Sequence, residues 1–166
     1  MGESASVGAV KILVWVAEGT WPACVDAVRA LEGDVTLVHV VDVATAAALS
    51  GSVGLLGRSG SADQAEFLLA RAEKELLDAA AARLGRNADL QVRRGRPERE
   101  IVAACADVDL LVLARDGDRS RLGPRSLGHH TRFVVDHAPC QILLVWPEAT
   151  PGLGTIPPPP PHDRTR

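Results

Sequence analysis

The sequence has few cysteines and no long apolar run. Its three cysteines, Cys24, Cys105 and Cys140, lie far apart in a chain of 166 residues, so they form neither a CxxC metal pair nor a disulfide framework. The longest apolar runs reach about half the length that a bilayer requires. The first ten residues, MGESASVGAV, lack the basic and apolar regions of a signal peptide. These absences predict a cytoplasmic protein that has no membrane partner.

A large excess of positive charge is also missing. The 18 basic and 21 acidic side chains give a formal net charge of -3, which provides no overall attraction to nucleic acid or to anionic lipid. We therefore expect no nucleic-acid partner, and any anion must bind locally. Of the 18 basic residues, 16 are arginines, in a chain rich in alanine and glycine. The number of arginines therefore follows the overall amino-acid bias of the chain and carries little functional information. Their positions carry the functional information.

Composition separates the ends of the chain from its middle. Residues 1–9 are small and polar and residues 148–166 are rich in proline, so a flexible N-terminus and a disordered Pro-rich tail are predicted. Between them, residues 10–147 form one domain, since 46% hydrophobic residues supply a sizeable core. Pro157–Pro161 favour a polyproline helix, which either is a spacer or docks on an aromatic groove of a partner protein.

The middle of the chain alternates between buried-type strands and amphipathic helices. Strands are predicted at 11–16, 34–42, 90–93, 110–113 and 141–145, and helices at 20–32, 63–84, 97–106 and 128–137. Residues 44–62, rich in Ala, Gly and Ser, are predicted to form a long loop that acts as a flap. Strict alternation implies an α/β fold, a parallel sheet with helices on both faces. Ligands then bind beyond the carboxyl ends of the first, second and fourth strands.

The most informative stretch runs from Leu110 to Val145, LLVLARDGDRSRLGPRSLGHHTRFVVDHAPCQILLV. It reads as a strand, a glycine-punctuated basic loop, a helix and a second strand. A strand that enters a glycine-rich turn before a helix brings backbone N–H groups and the positive end of the helix dipole together. This arrangement is typical of a phosphate site.

Five pieces of sequence together resemble the universal stress protein family over residues 10–147. They are KILVWV before a short turn, VTLVHVVD, GRPEREIV, DLLVLARDG, and Gly128 followed by DHAPCQILLV. The resemblance implies a single doubly wound sheet of five parallel strands in the order 3-2-1-4-5, the adenine nucleotide alpha hydrolase-like fold, and a usually dimeric protein. In some members it also implies an ATP site with the pattern GxxG, nine residues, then Gly and Ser or Thr.

The chain departs from this implied site at the first strand. The family usually has Val-Asp where this chain has Val16 and Ala17, so the carboxylate that contacts the nucleoside is missing. Losing this carboxylate costs roughly 1.5 to 3 kcal/mol of binding free energy. Glu18 lies one residue further along, so we expect that it does not fully replace the missing carboxylate. At the end of the second strand, Val41 matches the position that packs on adenine in nucleotide-binding relatives. A core valine is the favoured interpretation, with which an adenine contact stays compatible.

The glycine pattern is altered as well. Ala114 stands in place of the first glycine, Gly117 is the second, and ten residues instead of nine precede Gly128. Asp116 puts a carboxylate beside the phosphates, where it repels them unless it holds a metal, and His129 replaces the hydroxyl residue. The candidate nucleotide-binding residues are Val16, Ala17, Val41, Leu113, Ala114, Gly117, Gly128, His129, His130 and Thr131.

Four arginines in the same loop are consistent with an anion site. Arg115, Arg119, Arg121 and Arg125 either clamp a phosphate in a bidentate manner or form a solvated basic loop. The implied cofactor is ATP or another adenine nucleotide, bound through a remodelled site.

Other enzyme classes lack their signatures. No GKS or GKT follows a glycine-rich loop, no GxGxxG follows the first strand, and the acidic residues of a receiver domain are missing. His137 and Cys140 are three residues apart but have no second half-site for a metal, so a packed turn is expected. We also expect His39, which alternates with valines in the second strand, to pack in the core. No catalytic residue and no metal site are predicted.

The sequence thus predicts a non-enzymatic regulatory protein of the stress response. It would form a homodimer through the apolar edge strand Ile142 to Val145. Three hypotheses remain: an adenine-nucleotide sensor whose ligand moves the loops at 44–62 and 117–127, a nucleotide-free scaffold that acts through protein partners, and a slow ATP hydrolase.

Overall fold

A computed structural model of the chain describes residues 8–54 and 60–159. Five strands and five α-helices alternate along most of it. In chain order they are β1 (Lys11–Trp15), α1 (Trp21–Val28), β2 (Asp34–Asp42), α2 (Val43–Gly54), α3 (Gly60–Leu84), β3 (Asp89–Gly95), α4 (Pro97–Ala104), β4 (Leu110–Ala114), α5 (His129–His137) and β5 (Gln141–Val145). Short 3₁₀ turns lie at Pro124–Ser126 and Leu153–Thr155.

The strands form one parallel sheet in the order β3-β2-β1-β4-β5. The central strand β1 pairs with β2 on one side, with Val14 opposite Leu37, and with β4 on the other, with Val14 opposite Val112. The predicted five-stranded parallel sheet and its strand order are confirmed. Because the chain leaves β1 in one direction and returns on its other side at β4, the order reverses at this strand, and a crevice opens beyond its carboxyl end.

Helices cover both faces of the sheet, so β1 is apolar on both sides. Ile12 and Val14 pack in one core cluster with residues of α1 and α3. Leu13 and Trp15 point to the opposite face and pack in a second cluster with residues of α4 and α5. Successive side chains of a strand alternate between faces, and burying each large apolar side chain contributes about 1.5–3 kcal/mol. The uninterrupted apolar run of β1 therefore places it at the centre of the sheet.

The prediction of a loop over residues 44–62 is wrong for its first part, where α2 runs from Val43 to Gly54. Asp42 begins the helix by capping it: its carboxylate accepts hydrogen bonds from the backbone N–H of Ala44 at 3.0 Å and from the hydroxyl of Thr45 at 2.7 Å. Such a cap favours helix formation, and alanine is the best helix former. Residues 55–59 of the predicted flap lie outside the described residues.

Several element boundaries differ modestly from the predicted ones. Helix α3 begins at Gly60 instead of 63, with Asp63 in its first turn, and α4 ends at Ala104. Strand β3 is longer than the predicted 90–93, because its pairing with β2 continues to Gly95 opposite Asp42. The longer pairing brings the ends of β2 and β3 to the same edge of the sheet.

The chain beyond β5 contacts the loop between β4 and α5. Arg119 forms an ion pair with Glu148, with Nη2 and Oε1 2.6 Å apart, and the backbone N–H of Leu122 donates to Thr155 Oγ1 at 3.0 Å. Residues 160–166 and 1–7 lie outside the described residues, so the division into a flexible N-terminus, a domain at 10–147 and a disordered tail from 148 stays a prediction. Among the described helices, none is long and apolar enough to span a membrane.

Candidate functional site

A cavity of about 250 Å³, here called the inner cavity, lies beyond the carboxyl ends of β1 and β2. It is lined by Trp15, Ala17, Glu18, Thr20, His39, Val40, Pro97, Asp116 and His130. These residues come from the ends of two strands, the turn after β1, the start of α4, the loop after β4 and the first turn of α5. The inner cavity therefore occupies the crevice that the strand order creates.

A second cavity of about 350 Å³, the outer cavity, adjoins the first and shares Glu18, His39 and Val40 with it. Its remaining lining residues are Val41, Asp42, Thr45, Ala46, Leu69, Ala72 and Glu73. Helices α2 and α3 supply half of its lining residues. The two cavities together form one surface that is apolar at its base and acidic along its rim.

The turn after β1 shapes the border between the cavities. The backbone N–H of Trp21 donates to the carbonyl of Ala17 at 3.0 Å, and Gly19 has a φ of +76°, which side-chain-bearing residues rarely adopt. This tight turn leaves the side chain of Glu18 exposed at the rim of both cavities. Glu18 therefore lies at the site, one residue after the position where the resemblance implies a carboxylate.

His39 lies on the shared wall and is oriented by the backbone of β1. Its Nδ1 is 2.8 Å from the carbonyl oxygen of Val16. Since a carbonyl only accepts, Nδ1 carries a proton and donates it. The histidine expected to pack in the core is thus half-buried at the cavity wall.

The N-terminus of α5 is capped by Asp116. Asp116 Oδ1 accepts a hydrogen bond of 2.7 Å from the backbone N–H of Gly128, the N-cap residue of the helix. A Cβ atom on Gly128 would lie 2.8 Å from the same oxygen, so the close approach of this carboxylate requires glycine. The carboxylate therefore lies beside the start of the helix, the region in which a helix N-terminus binds a phosphate.

The basic loop between β4 and α5 is closed by its own hydrogen bonds. The backbone N–H of Gly117 donates to Ser126 O at 2.9 Å, and that of Asp118 donates to Arg125 O at 2.8 Å. A Cβ on Gly117 would lie 2.3 Å from Arg125 O. Gly117, predicted as a phosphate-binding glycine, therefore allows two segments of the loop to meet.

Two of the four candidate phosphate-binding arginines are engaged with other parts of the chain. The guanidinium of Arg115 donates to Ser126 Oγ and lies over the ring of Trp146, 4.6 Å from its centroid. Arg119 Nε donates to Glu148 Oε1 at 2.8 Å.

The other two arginines, Arg121 and Arg125, are exposed. Hydrogen bonds from Ser120, followed by the charges of these two arginines, lower the pKa of Asp118. Both arginines therefore act on a carboxylate of their own loop.

The first turn of α5 is tied to the start of α4. His130 Nδ1 lies 2.7 Å from Glu98 Oε2, and Glu98 is only 8% exposed. Desolvation raises the pKa of Glu98, but its backbone hydrogen bond and the His130 contact outweigh this effect and hold it below the usual value. His129 is exposed and packs edge-on against His130.

Only three of the predicted site residues line the cavities: Ala17 and His130 at the inner cavity and Val41 at the outer one. Four others are buried in the protein interior, namely Val16, Leu113, Ala114 and Thr131.

The residues that sequence reasoning missed fall into two groups. Asp42 is the last residue of β2, and Thr45 and Pro97 lie within three residues of the ends of β2 and β3, a signal that could have identified them. Leu69, Ala72 and Glu73 lie in the middle of α3, and no local pattern marks them.

The rim of the outer cavity is rich in carboxylates. Asp42 has a pKa below its usual value, chiefly because of hydrogen bonds from Thr45 and Ala44. Glu73 is 8% exposed; its Oε2 accepts from Arg94 at 3.0 Å, whereas its buried Oε1 has no hydrogen-bond partner among the described residues. The described rim therefore offers acceptors more readily than donors.

Solved structures similar to the chain support the same fold. Hypothetical protein MJ0577 is 24% identical, with 87% of this chain and 100% of that chain covered at a TM-score of 0.55. Universal stress protein UspA from Lactobacillus plantarum is 23% identical, with coverages of 83% and 98% and a TM-score of 0.55. A universal stress protein in complex with cAMP is 16% identical, with coverages of 85% and 100% and a TM-score of 0.53.

No curated protein matches the chain, but a family model does. The model of the universal stress protein family matches residues 7–145, which include all five strands and both cavities. This match agrees with the motifs DLLVLARDG and DHAPCQILLV and with the observed strand order. The chain belongs to the universal stress protein family.

Proposed function

We propose that the protein is a regulatory protein of the stress response that senses an adenine nucleotide through the inner and outer cavities. The observation that carries this proposal is the position of the two cavities, which open at the strand-order reversal in a chain of this family. One structural neighbour, a universal stress protein, is in complex with cAMP. This neighbour supports an adenine compound as the ligand class.

The chemistry of the cavities suits a nucleoside. The apolar side chains of Val41, Leu69 and Ala72 line the outer cavity and provide a surface on which a purine ring can pack. The carboxylates of Glu18 and Asp42 at the rim accept hydrogen bonds and can receive them from ribose hydroxyls. The lining therefore supports recognition of the base and sugar.

The second candidate is a nucleotide-free scaffold that acts through protein partners. It is favoured by the loop at 117–127, in which the backbone N–H groups of Gly117, Asp118, Ser126 and Leu127 donate hydrogen bonds within the chain. A slow ATP hydrolase gains no support from the described residues, in which no group of three His, Cys, Asp or Glu side chains is arranged to hold a metal.

We also propose that the protein is a cytoplasmic homodimer, formed through Ile142 to Val145. Strand β5 is an edge of the sheet, and its residues QILLV carry no charge and are half-buried after Gln141. The opposite edge, β3, contains Arg93 and Arg94, and charged residues protect an edge against pairing. The tail at 148–166 would serve as a spacer or as a ligand for a protein partner.

Isothermal titration of nucleotide-stripped protein with ATP, AMP, adenosine and cyclic AMP tests the sensor proposal. We expect saturable binding of at least one adenine compound. Ala17→Trp should abolish it, because Ala17 lines the inner cavity and a Trp side chain would fill that space. Ala82→Trp on the exposed surface of α3 is the matched control and should bind normally. Absence of heat with all four compounds at millimolar concentration would favour the scaffold.

A further inference from the structure

A carboxylate of the chain itself lies at the N-terminus of α5. The Asp116 carboxylate accepts from the backbone N–H of Gly128 at 2.7 Å and lines the inner cavity. A helix N-terminus attracts anions through its free N–H groups and its dipole. A phosphate at this position would have to displace the carboxylate or lie beside it, and like charges repel.

Three donor residues of the neighbouring loop are also used within the protein, whereas Arg121 and Arg125 are exposed. The N–H of Gly117 is bonded to Ser126, Arg115 lies against Trp146, and Arg119 is paired with Glu148. Releasing them for a polyphosphate would break charge-assisted and backbone hydrogen bonds. These contacts within the chain therefore compete with a polyphosphate for the donors of the loop.

The remaining polar groups of the cavities favour a ligand that donates hydrogen bonds and carries no negative charge. Glu18 and Asp42 are carboxylates at the rim of the outer cavity. Glu73 adds a third carboxylate, and its buried Oε1 has no partner within residues 8–54 and 60–159. A nucleoside offers ribose hydroxyls and an amino group as donors. A triphosphate adds several negative charges to an already acidic surface.

From these contacts we infer that the site recognises an adenine nucleoside and discriminates against its phosphates, with Asp116 as the residue that sets this specificity. The inference rests on the proposed function, because it concerns the same site, and it specifies the unphosphorylated nucleoside in place of the nucleotide. It reverses the order of affinities expected for an ATP site. Each added phosphate weakens binding here instead of strengthening it.

The test is isothermal titration of the full chain with adenosine, AMP and ATP, in EDTA and at constant ionic strength. We expect adenosine to bind about tenfold more tightly than ATP or better, with AMP between them. Asp116→Asn retains a side-chain oxygen that can cap Gly128 but removes the charge. It should raise the ratio of ATP affinity to adenosine affinity by about tenfold.

Asp118→Asn is the matched control, because it removes the same charge from the same loop. Asp118 accepts from Ser120 and does not cap α5, so its loss should leave the ratio unchanged. If thermal melting shows that Asp116→Asn is not folded, Asp116→Ser, which keeps a capping hydroxyl, replaces it. The ranking of the three ligands on the unmodified chain tests the inference independently of any variant.

The outcomes separate this inference from the proposed function. ATP binding as tightly as adenosine, or an equal change of the affinity ratio in Asp116→Asn and Asp118→Asn, overturns the inference and leaves the sensor proposal standing. Absence of binding by every adenine compound overturns both.

Discussion

Single residues decide how this site differs from the phosphate-binding loop that the sequence pattern resembles. Asp116 and Gly128 form a pair in which the carboxylate caps the helix and the glycine leaves room for it. Gly117 survives from the family pattern, yet its N–H serves the closure of the loop. A motif residue can therefore be retained while its bonding partner changes from a ligand to the protein.

Replacement of Gly117 should destabilise the protein through this closure. Gly117→Ala places a Cβ 2.3 Å from Arg125 O, and relief of such overpacking costs about 1–3 kcal/mol. Urea unfolding followed by circular dichroism measures the loss. Gly152→Ala is the control: its φ is -65° and nothing lies within 4 Å of a new Cβ, so its stability should be unchanged or slightly raised. Equal effects of the two substitutions would contradict this account of the loop.

At the scale of elements, the junction between β2 and α2 joins fold and site. Asp42 is the last residue of β2, caps α2 and lines the outer cavity. One carboxylate thus begins a helix and contributes to the wall that this helix supplies. Loss of the cap should loosen α2 and the outer cavity together.

Asp42→Ala should lower the melting temperature by about 2–4 °C through loss of the cap. Because the pKa of Asp42 is lowered from 3.8 in the folded protein, the stabilisation is fully present above pH 3.8 and is lost as the pH falls through the lower folded value. Calorimetric melting at neutral pH and at successively lower pH measures this trend. The exposed turn residue Asp107 gives a control, Asp107→Ala, which should melt like the parent. If Asp42→Ala lowers the melting temperature by the same amount at the lowest pH as at neutral pH, the charged cap is not the cause.

At the scale of the whole molecule, the two edges of the sheet differ in charge and burial. Strand β3 presents arginines and exposed side chains, whereas β5 presents an uncharged, half-buried run. An uncharged edge is prone to pair with another chain. This asymmetry favours association through β5.

Sedimentation velocity tests that association. The parent chain should sediment as a dimer, and Leu143→Glu on β5 should shift it to the monomer by placing a charge in the interface. Val92→Glu on β3, where Val92 is 43% exposed, is the matched substitution at the other edge and should leave the dimer intact. Circular dichroism confirms that both variants are folded. A parent chain that sediments as a monomer would contradict the proposed homodimer.

Much of the fold could be predicted from local patterns, because buried parallel strands and amphipathic helices leave strong periodic signals. Strands β2 and β5 were placed with the observed bounds. Helix α2 was missed because its glycines and serines resemble a loop, while its cap at Asp42 and its alanines favour a helix. The side chains of α3 at the outer cavity left no local signal, since only packing brings them to the site.

The sequence by itself determined the alternation of strands and helices, the family, and the sheet edge at which a ligand would bind. Each of these depends on order along the chain or on side chains close in sequence. Only the tertiary structure decided that Asp116 caps Gly128 and that Glu73 meets the rim beside Asp42. Those contacts join segments distant in sequence, and their geometry depends on how the loops and helices pack above the sheet.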